Sequence, residues 1–256
     1  MNIMPLQIES EFGLPTANEA QLIVADLDAA DAQQFMPLLS QEERCRASRY
    51  RSAVDRLRFT TARGLLRKWL GQFIGVRPGD LCFSYGPRGK PALASPLSDL
   101  RFNISHSKHL AAMAFTNGCE VGVDVELIRP DIDSKLLSQG FLSNQEASIV
   151  KQAPPKQQPE VFLHYWTRAE AIAKMLGTGL ADREPTDDIN PPNEGISPAS
   201  VPKTVHVLRV GTQAIIALAT SKPIQIIRAS SFLSVNPSLF PPQPIPPPAS
   251  AALHPS

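Results

Sequence analysis

The sequence predicts an α+β fold made of two similar halves related by a pseudo-twofold axis. Three observations lead there. The helix-start pattern S-x-x-E occurs twice: Leu39-Ser40-Gln41-Glu42-Glu43 resembles Leu142-Ser143-Asn144-Gln145-Glu146 at an offset of 103 residues. Within the helix that follows each, Thr61, Lys68, Leu70 and Gly71 recur as Thr167, Lys174, Leu176 and Gly177 at an offset of 106. The small-apolar strand at 110–115 is echoed near 214–219, so both halves share the order helix, helix, strand. A cleft between such repeats is a natural ligand site.

Taken in order, residues 1–20 carry weak signals and are expected to be a loosely ordered lead-in. Residues 21–27 read as a short strand, because Leu22, Ile23, Val24 and Ala25 are apolar and an Asp-rich turn follows. Ser40 and Glu43 open a helix. A longer helix is expected over 54–74, where Leu57, Leu65, Leu66, Trp69, Leu70 and Phe73 recur at helical spacing and the other face is basic. Gly75 and Pro78-Gly79 end it. Residues 81–85 form a strand and 86–91 a loop carrying Gly89-Lys90-Pro91. A short strand at 101–104 runs into Ser105-His106-Ser107-Lys108. Residues 110–115, the Asn117-Gly118 turn and 119–126 read as a β-hairpin, since Asn-Gly is a strong two-residue hairpin signal. After a Pro/Asp linker, Ser143 and Glu146 open another helix, Pro154-Pro155 break it, and a longer helix covers 160–176. A loop is expected at 181–203, a hairpin from 205–210 and 213–220, and a last strand at 224–229. Eight prolines after Asn236 keep the end of the chain out of any core. The organisation expected is a basic α+β half (1–115), a half with an acidic site (116–235) and a proline-rich tail (236–256).

Composition sets limits. At 256 residues and 43% hydrophobic content the chain can bury a real core. No apolar run is long enough for a membrane span, and the first residues lack the pattern of a secretory signal. Cys45, Cys82 and Cys119 are far apart, which argues against a disulfide framework and a zinc site. The expectation is a soluble protein of the reducing cytoplasm. Net charge is +1, yet residues 44–68 hold nine basic side chains against the single acid Asp55. That run is either a solvated helical face or a surface for an anionic partner. Aromatic interleaving and reader motifs for nucleic acid are missing from it.

The chemistry centres on Val121-Gly122-Val123-Asp124-Val125-Glu126. Alternation puts the three valines on one face of a strand and Gly122, Asp124 and Glu126 on the other. Same-face neighbours lie roughly 6.5–7 Å apart, within reach of one cation. The alternative is a solvated outer face. Gly122 leaves open space beside the carboxylates. On the 160–176 helix, Glu170 and Lys174 are four apart and share a face, either as an exposed ion pair or as part of a site. Three carboxylates and a lysine suit Mg²⁺ holding a diphosphate, with hard oxygen ligands for the metal and a cation for the remaining phosphate charge.

These residues resemble the signature of the Sfp-type 4′-phosphopantetheinyl transferases, a G-x-D-x-E strand followed by a W-x-x-K-E-x-x-x-K helix. Here they are Gly122-Val123-Asp124-Val125-Glu126 and Trp166-Thr167-Arg168-Ala169-Glu170-Ala171-Ile172-Ala173-Lys174. Gly89-Lys90-Pro91, Phe102-Asn103-Ile104-Ser105-His106-Ser107 and the basic helix before Asp55-Arg56-Leu57-Arg58-Phe59 match further blocks in order. The resemblance implies the 4′-phosphopantetheinyl transferase fold. It also implies transfer of the phosphopantetheine arm of coenzyme A to a serine of an acyl or peptidyl carrier protein, releasing 3′,5′-ADP. Asp124, Glu126 and Glu170 would ligate Mg²⁺, Glu170 would take the serine proton, and Lys174 would neutralise diphosphate charge. Lys90 and His106 would contact the coenzyme's phosphates, with Ser105 positioning the loop. The 3′-phosphate would fall to His106 together with Arg44, Arg46 or Arg49. A monomer is expected, because an internal pseudo-dimer has less need of a partner subunit.

One departure stands out. The family usually has lysine just before the metal-binding glutamate, and this chain has Ala169. Its loss could turn the protein into a non-catalytic module that binds coenzyme A or carrier protein. A metal-dependent phosphohydrolase using the same acids is a third reading, disfavoured by Lys90 and the Ser-His segment.

Overall fold

The computed structural model describes residues 7–8, 13–95, 98–178 and 204–232. Most of the lead-in, the loop expected at 181–203 and the proline-rich tail lie outside the described residues. After β1 (Gln7–Ile8), the first long strand is β2 (Glu19–Asp26), buried at its six central positions. The Ser40 hydroxyl then accepts from the Glu43 N–H and Glu43 caps the Ser40 N–H in return, which starts α1 (Gln41–Ser48). Ser52 caps α2 (Ala53–Ile74), whose apolar stripe is buried as its spacing predicts. Gly75, in the left-handed conformation at φ 68°, terminates it. Gly71, paired with Gly177 by the sequence repeat, lies inside α2 instead.

Strands β3 (Cys82–Tyr85) and β4 (Pro91–Ser95) form a separate antiparallel ribbon. Strand β5 (Leu100–Ser107) is longer than expected: Ser105-His106-Ser107 is not a loop but continues the strand, paired with β6 (Leu110–Asn117). The two are joined by the two-residue turn Lys108-His109, with Lys108 at φ 51°. A tight hairpin turn without glycine gives little sequence signal. The expected Asn117-Gly118 hairpin is correspondingly overturned. Both edges of β6 are occupied, by β5 and β2. The next strand, β7 (Val121–Leu127), therefore starts a second sheet.

The Pro/Asp linker contains a helix, α3 (Ser134–Phe141), for which Asp133 serves as N-cap rather than as a turn residue. Ser143 and Glu146 close the second capping box and open α4 (Asn144–Gln152). Helix α5 (Gln158–Leu176) follows and ends at left-handed Gly177. Strands β8 (Thr204–Val210) and β9 (Ala214–Thr220) form the expected hairpin, with β9 central between β8 and β7.

With the β3–β4 ribbon and α3 set aside as insertions, strand, helix, helix, strand, strand occurs twice: β2-α1-α2-β5-β6 and β7-α4-α5-β8-β9. The two sheets stack through facing apolar side chains. Leu22, Val24, Ala112 and Ala114 of the first pack with Val121, Val123, Ile216 and Leu218 of the second. The outer face of the first sheet packs on Leu65, Leu66, Trp69 and Leu70 of α2. On the outer face of the second, Ala217 and Ala219 pack on Ala171, Ile172 and Met175 of α5. The order is helix, sheet, sheet, helix, the two-half α+β fold expected. The halves also exchange structure: β10 (Ile226–Phe232) pairs in parallel with β2, extending the first half's sheet.

Candidate active site

Strand β7 sits with Gly122, Asp124 and Glu126 on the α5 face, as alternation predicts, but that face is not solvated. Asp124 is 3% exposed. Gly122 leaves no open space either: a Cβ there would lie 2.0 Å from the Ala171 carbonyl oxygen and 2.3 Å from the Met175 nitrogen. Its role is to let α5 lie against β7, which brings Glu170 and Lys174 to the carboxylates of the strand.

The other wall is β5. It forms no backbone ladder with β7 and is joined to it by side chains. Asn103 Oδ1 accepts from the Val123 N–H at 2.9 Å, Ser105 Oγ donates to Asp124 Oδ1 at 2.8 Å, and Ser107 Oγ donates to Glu126 Oε2 at 2.9 Å. From α5, Lys174 Nζ donates to the same Asp124 oxygen at 2.5 Å and to Ser105 Oγ at 2.9 Å. Lys174, Ser105 and Asp124 thus form one closed network across the two halves. Asp124 Oδ2 is buried and has no partner.

Burial pushes the Glu126 and Glu170 carboxyls above the usual carboxylate range, and the Asp124 charge pushes both in the same direction. Hydrogen bonds from Ser107 and Trp166 to Glu126, and the Lys174 charge beside Glu170, act against this rise. A set of three carboxylates, one with a buried oxygen lacking any donor, has the chemistry of a Mg²⁺ site. Among the described residues, however, no three His, Cys, Asp or Glu side chains are gathered closely enough to hold a metal ion. Donor type fits the ion; the carboxylates have still to converge, and Lys174 stands against Asp124.

Residues 120–213 match the family described as the 4′-phosphopantetheinyl transferase superfamily, and residues 28–117 match "4′-phosphopantetheinyl transferase, N-terminal". The 4′-phosphopantetheinyl transferase HetI of Nostoc sp. is 36% identical over 174 residues, 67% of this chain and 73% of the relative. The chain belongs to the 4′-phosphopantetheinyl transferase superfamily. A 4′-phosphopantetheinyl transferase of Bacillus subtilis is 30% identical over 156 residues, 60% of this transferase and 67% of the relative. The putative 4′-phosphopantetheinyl transferase slr0495 of Synechocystis sp. is 32% identical over 152 residues, covering 57% and 60%.

The other expected site residues of the transferase are more dispersed. Lys90 does reach the second half, but its Nζ donates to the Met175 carbonyl oxygen at 2.8 Å and to Glu120 at 3.1 Å, capping the last turn of α5. His106 shares the α2 face of β5 with Phe102 and Ile104, opposite Ser105. Although the residue is exposed, partial desolvation lowers its pKa. Lys174 and Arg58 push the same way, and Asp55 opposes them. Arg44, Arg46 and Arg49 are not among the charges acting most strongly on it. Arg44 donates to the carbonyls of Leu39 and Pro37, and the Arg46 guanidinium lies over the Phe59 ring at 5.3 Å. Arg49 is exposed.

Sequence reasoning missed Asn103, Ser107 and Trp166 as parts of the site. Polar residues at every second position of 103–107 were the available signal. Ala169 is 4% exposed, so the place of the family's lysine is in the packed side of α5. No helix among the described residues is long and apolar enough to cross a membrane.

Proposed function

We propose that this transferase moves the 4′-phosphopantetheine arm of coenzyme A to a serine hydroxyl of an acyl or peptidyl carrier protein and releases 3′,5′-ADP. The observation that carries the reading is the buried Asp124 carboxylate, tied to Lys174 and Ser105 at the seam between the halves, in a chain of this superfamily.

Asp124, Glu126 and Glu170 would hold Mg²⁺, which supplies positive charge to the diphosphate and polarises it for displacement. The partnerless Asp124 Oδ2 supports that assignment. The serine oxygen forms a bond to the phosphorus that bears the pantetheine arm. The bond from that phosphorus to the bridging oxygen breaks, and the electron pair leaves with 3′,5′-ADP. Glu170, partly buried one turn before Lys174 on α5, would take the serine proton. Lys174 stabilises the charge that grows on the leaving phosphate. His106 and Lys90 are assigned to the coenzyme's other phosphates, Lys90 on condition that it leaves the α5 carboxy-terminus. Arg46 and Arg49 are the freer candidates for the 3′-phosphate, since Arg44 is held by backbone carbonyls. We assign the protein to the cytoplasm, as a monomer organised in the two halves and tail expected from the sequence.

The reading as a non-catalytic module rested on Ala169 and on the altered C-terminal segments, which lie outside the described residues. Burial at Ala169 means that a charged terminus is not missing from an open face of the site, which favours turnover. The test is incubation with coenzyme A, Mg²⁺ and an apo carrier protein. The carrier should gain the mass of one phosphopantetheine arm, and Asp124→Ala should abolish the gain. Failure to modify several unrelated apo carriers overturns the proposal. Release of free phosphopantetheine without a carrier would identify a hydrolase instead.

A further inference from the structure

A buried carboxylate needs a compensating charge. Asp124 has one already: Lys174 Nζ lies 2.5 Å from Oδ1 and is fixed there by Ser105 Oγ at 2.9 Å, while Oδ2 stays without a partner. Lys174 is itself only 30% exposed at the side chain, so it is not a loosely swinging surface cation. Glu126 is bound to Ser107 and Glu170 lies one turn before Lys174 on α5. The three acids are not gathered into a metal-sized group.

From this geometry we infer that Lys174 acts as a resident counter-ion that keeps a divalent cation from binding Asp124 until a diphosphate arrives to take the ammonium away. Metal and diphosphate then bind as a mutually dependent pair. The inference rests on the metal-site reading above and concerns the order in which its parts assemble. The reason is electrostatic. A divalent ion entering at Oδ2 while Lys174 remains on Oδ1 shares one carboxylate with another positive charge, in a poorly solvated site. An entering diphosphate offers the ammonium several anionic oxygens, so the lysine moves with little net loss and Asp124 is freed for the ion. By linkage, whatever factor the diphosphate adds to metal affinity, the metal adds to diphosphate affinity.

The position also explains why Ser105 belongs to both partners. Its single hydroxyl proton is directed to Asp124, and its lone pair receives the lysine. The serine therefore holds the closed pair in register. When Lys174 departs, the hydroxyl remains as a donor to the carboxylate and keeps Asp124 oriented.

The test is calorimetric titration of Mn²⁺ into the full-length protein, with and without coenzyme A, for wild type, Lys174→Met and Lys174→Arg. Lys174→Met should bind Mn²⁺ alone about tenfold or more tighter than wild type, within the range of ordinary coupling energies. Lys174→Arg, which keeps the charge, should not. Wild type should bind Mn²⁺ about tenfold tighter once coenzyme A is present, and Lys174→Met should lose most of that dependence. Circular dichroism checks that each variant is folded, and a misfolded Met variant is replaced by Lys174→Gln in the same titration. Equal Mn²⁺ affinity of wild type and the folded neutral variant without coenzyme A overturns the inference, while a coenzyme-dependent Mn²⁺ site in wild type would leave the metal-site reading standing. No Mn²⁺ binding under any condition overturns both.

Discussion

Gly122 of β7 faces the Ala171 carbonyl oxygen of α5 so closely that a Cβ would lie 2.0 Å from it. The neighbouring obstacle is also backbone, the Met175 nitrogen at 2.3 Å, so no flexible side chain can give way. Gly122→Ala must push α5 off the strand. Because Glu170 and Lys174 ride on that helix, we expect both a stability loss of more than about 3 kcal/mol and loss of transfer activity. Urea denaturation followed by circular dichroism measures the first. A variant of wild-type stability would show that the helix can shift without cost.

Ser105→Ala removes the hydroxyl that links Lys174 to Asp124 but leaves their direct contact intact. The buried carboxylate keeps its counter-charge, so the fold should lose about 1.5–3 kcal/mol, the usual range for a hydrogen bond to a charged group. If Asp124 holds the metal as proposed, the effect falls on catalysis, since removing a group that orients a metal ligand typically costs 10–100-fold. We expect turnover on an apo carrier to fall by about that factor, with partial rescue in Ser105→Thr. An unchanged rate would mean that Asp124 is held adequately by Lys174 and its own strand.

Ala169→Lys tests whether the family's lysine was lost or made unnecessary. At 4% exposure the alanine is enclosed, and a lysine there must bury its stem and thread its ammonium out past packed neighbours. The expected outcome is a destabilisation of about 1–3 kcal/mol with no rise in turnover. A large gain in rate over wild type would revive the reading of a binding module disabled at this position.

Local rules were legible where they act alone. Both S-x-x-E segments are capping boxes, and the buried stripe of α2 follows its spacing. The acids of β7 and the pair Glu170 and Lys174 were found because alternation and helical spacing place side chains on one face. Gly122 was read as space because a strand on its own does not reveal that a helix backbone will occupy it. The Asn117-Gly118 hairpin failed for a similar reason: the chain bends there, with Gly118 at φ 63°, but which strand pairs with β6 is decided by β2, nearly ninety residues earlier. Glu43 shows the limit from the other side. Its capping role was read correctly, while its buried ion pair with Arg67, at 2.5 Å, depends on the docking of α1 against α2. Ser105 was named from the sequence, but the seam that Asn103, Ser105 and Ser107 form was not, because it joins two strands that share no ladder.

Acid should destabilise the protein through its histidines. Burial lowers the His164 pKa from 6.5 to about 4, with Arg168 adding to the shift, and its Nδ1 is buried without a hydrogen-bond partner. The folded state therefore keeps His164 neutral where the unfolded chain is already protonated. Between pH 6.5 and about 4 the unfolded state binds the extra proton, so stability falls as pH falls through that window. The contribution of this one group is at most about 3 kcal/mol. His106 and His206 are lowered in the same direction. Glu126 and Glu170 oppose the trend: their raised folded pKa values mean that the folded state takes up protons first on acidification, which offsets part of the loss. His164→Gln removes one titrating group without touching the carboxylates of the site. The drop in urea midpoint from about pH 7 to about pH 5 should then be smaller in the variant than in wild type. An identical drop in both would mean that His164 titrates normally in the fold and that the acid sensitivity arises elsewhere.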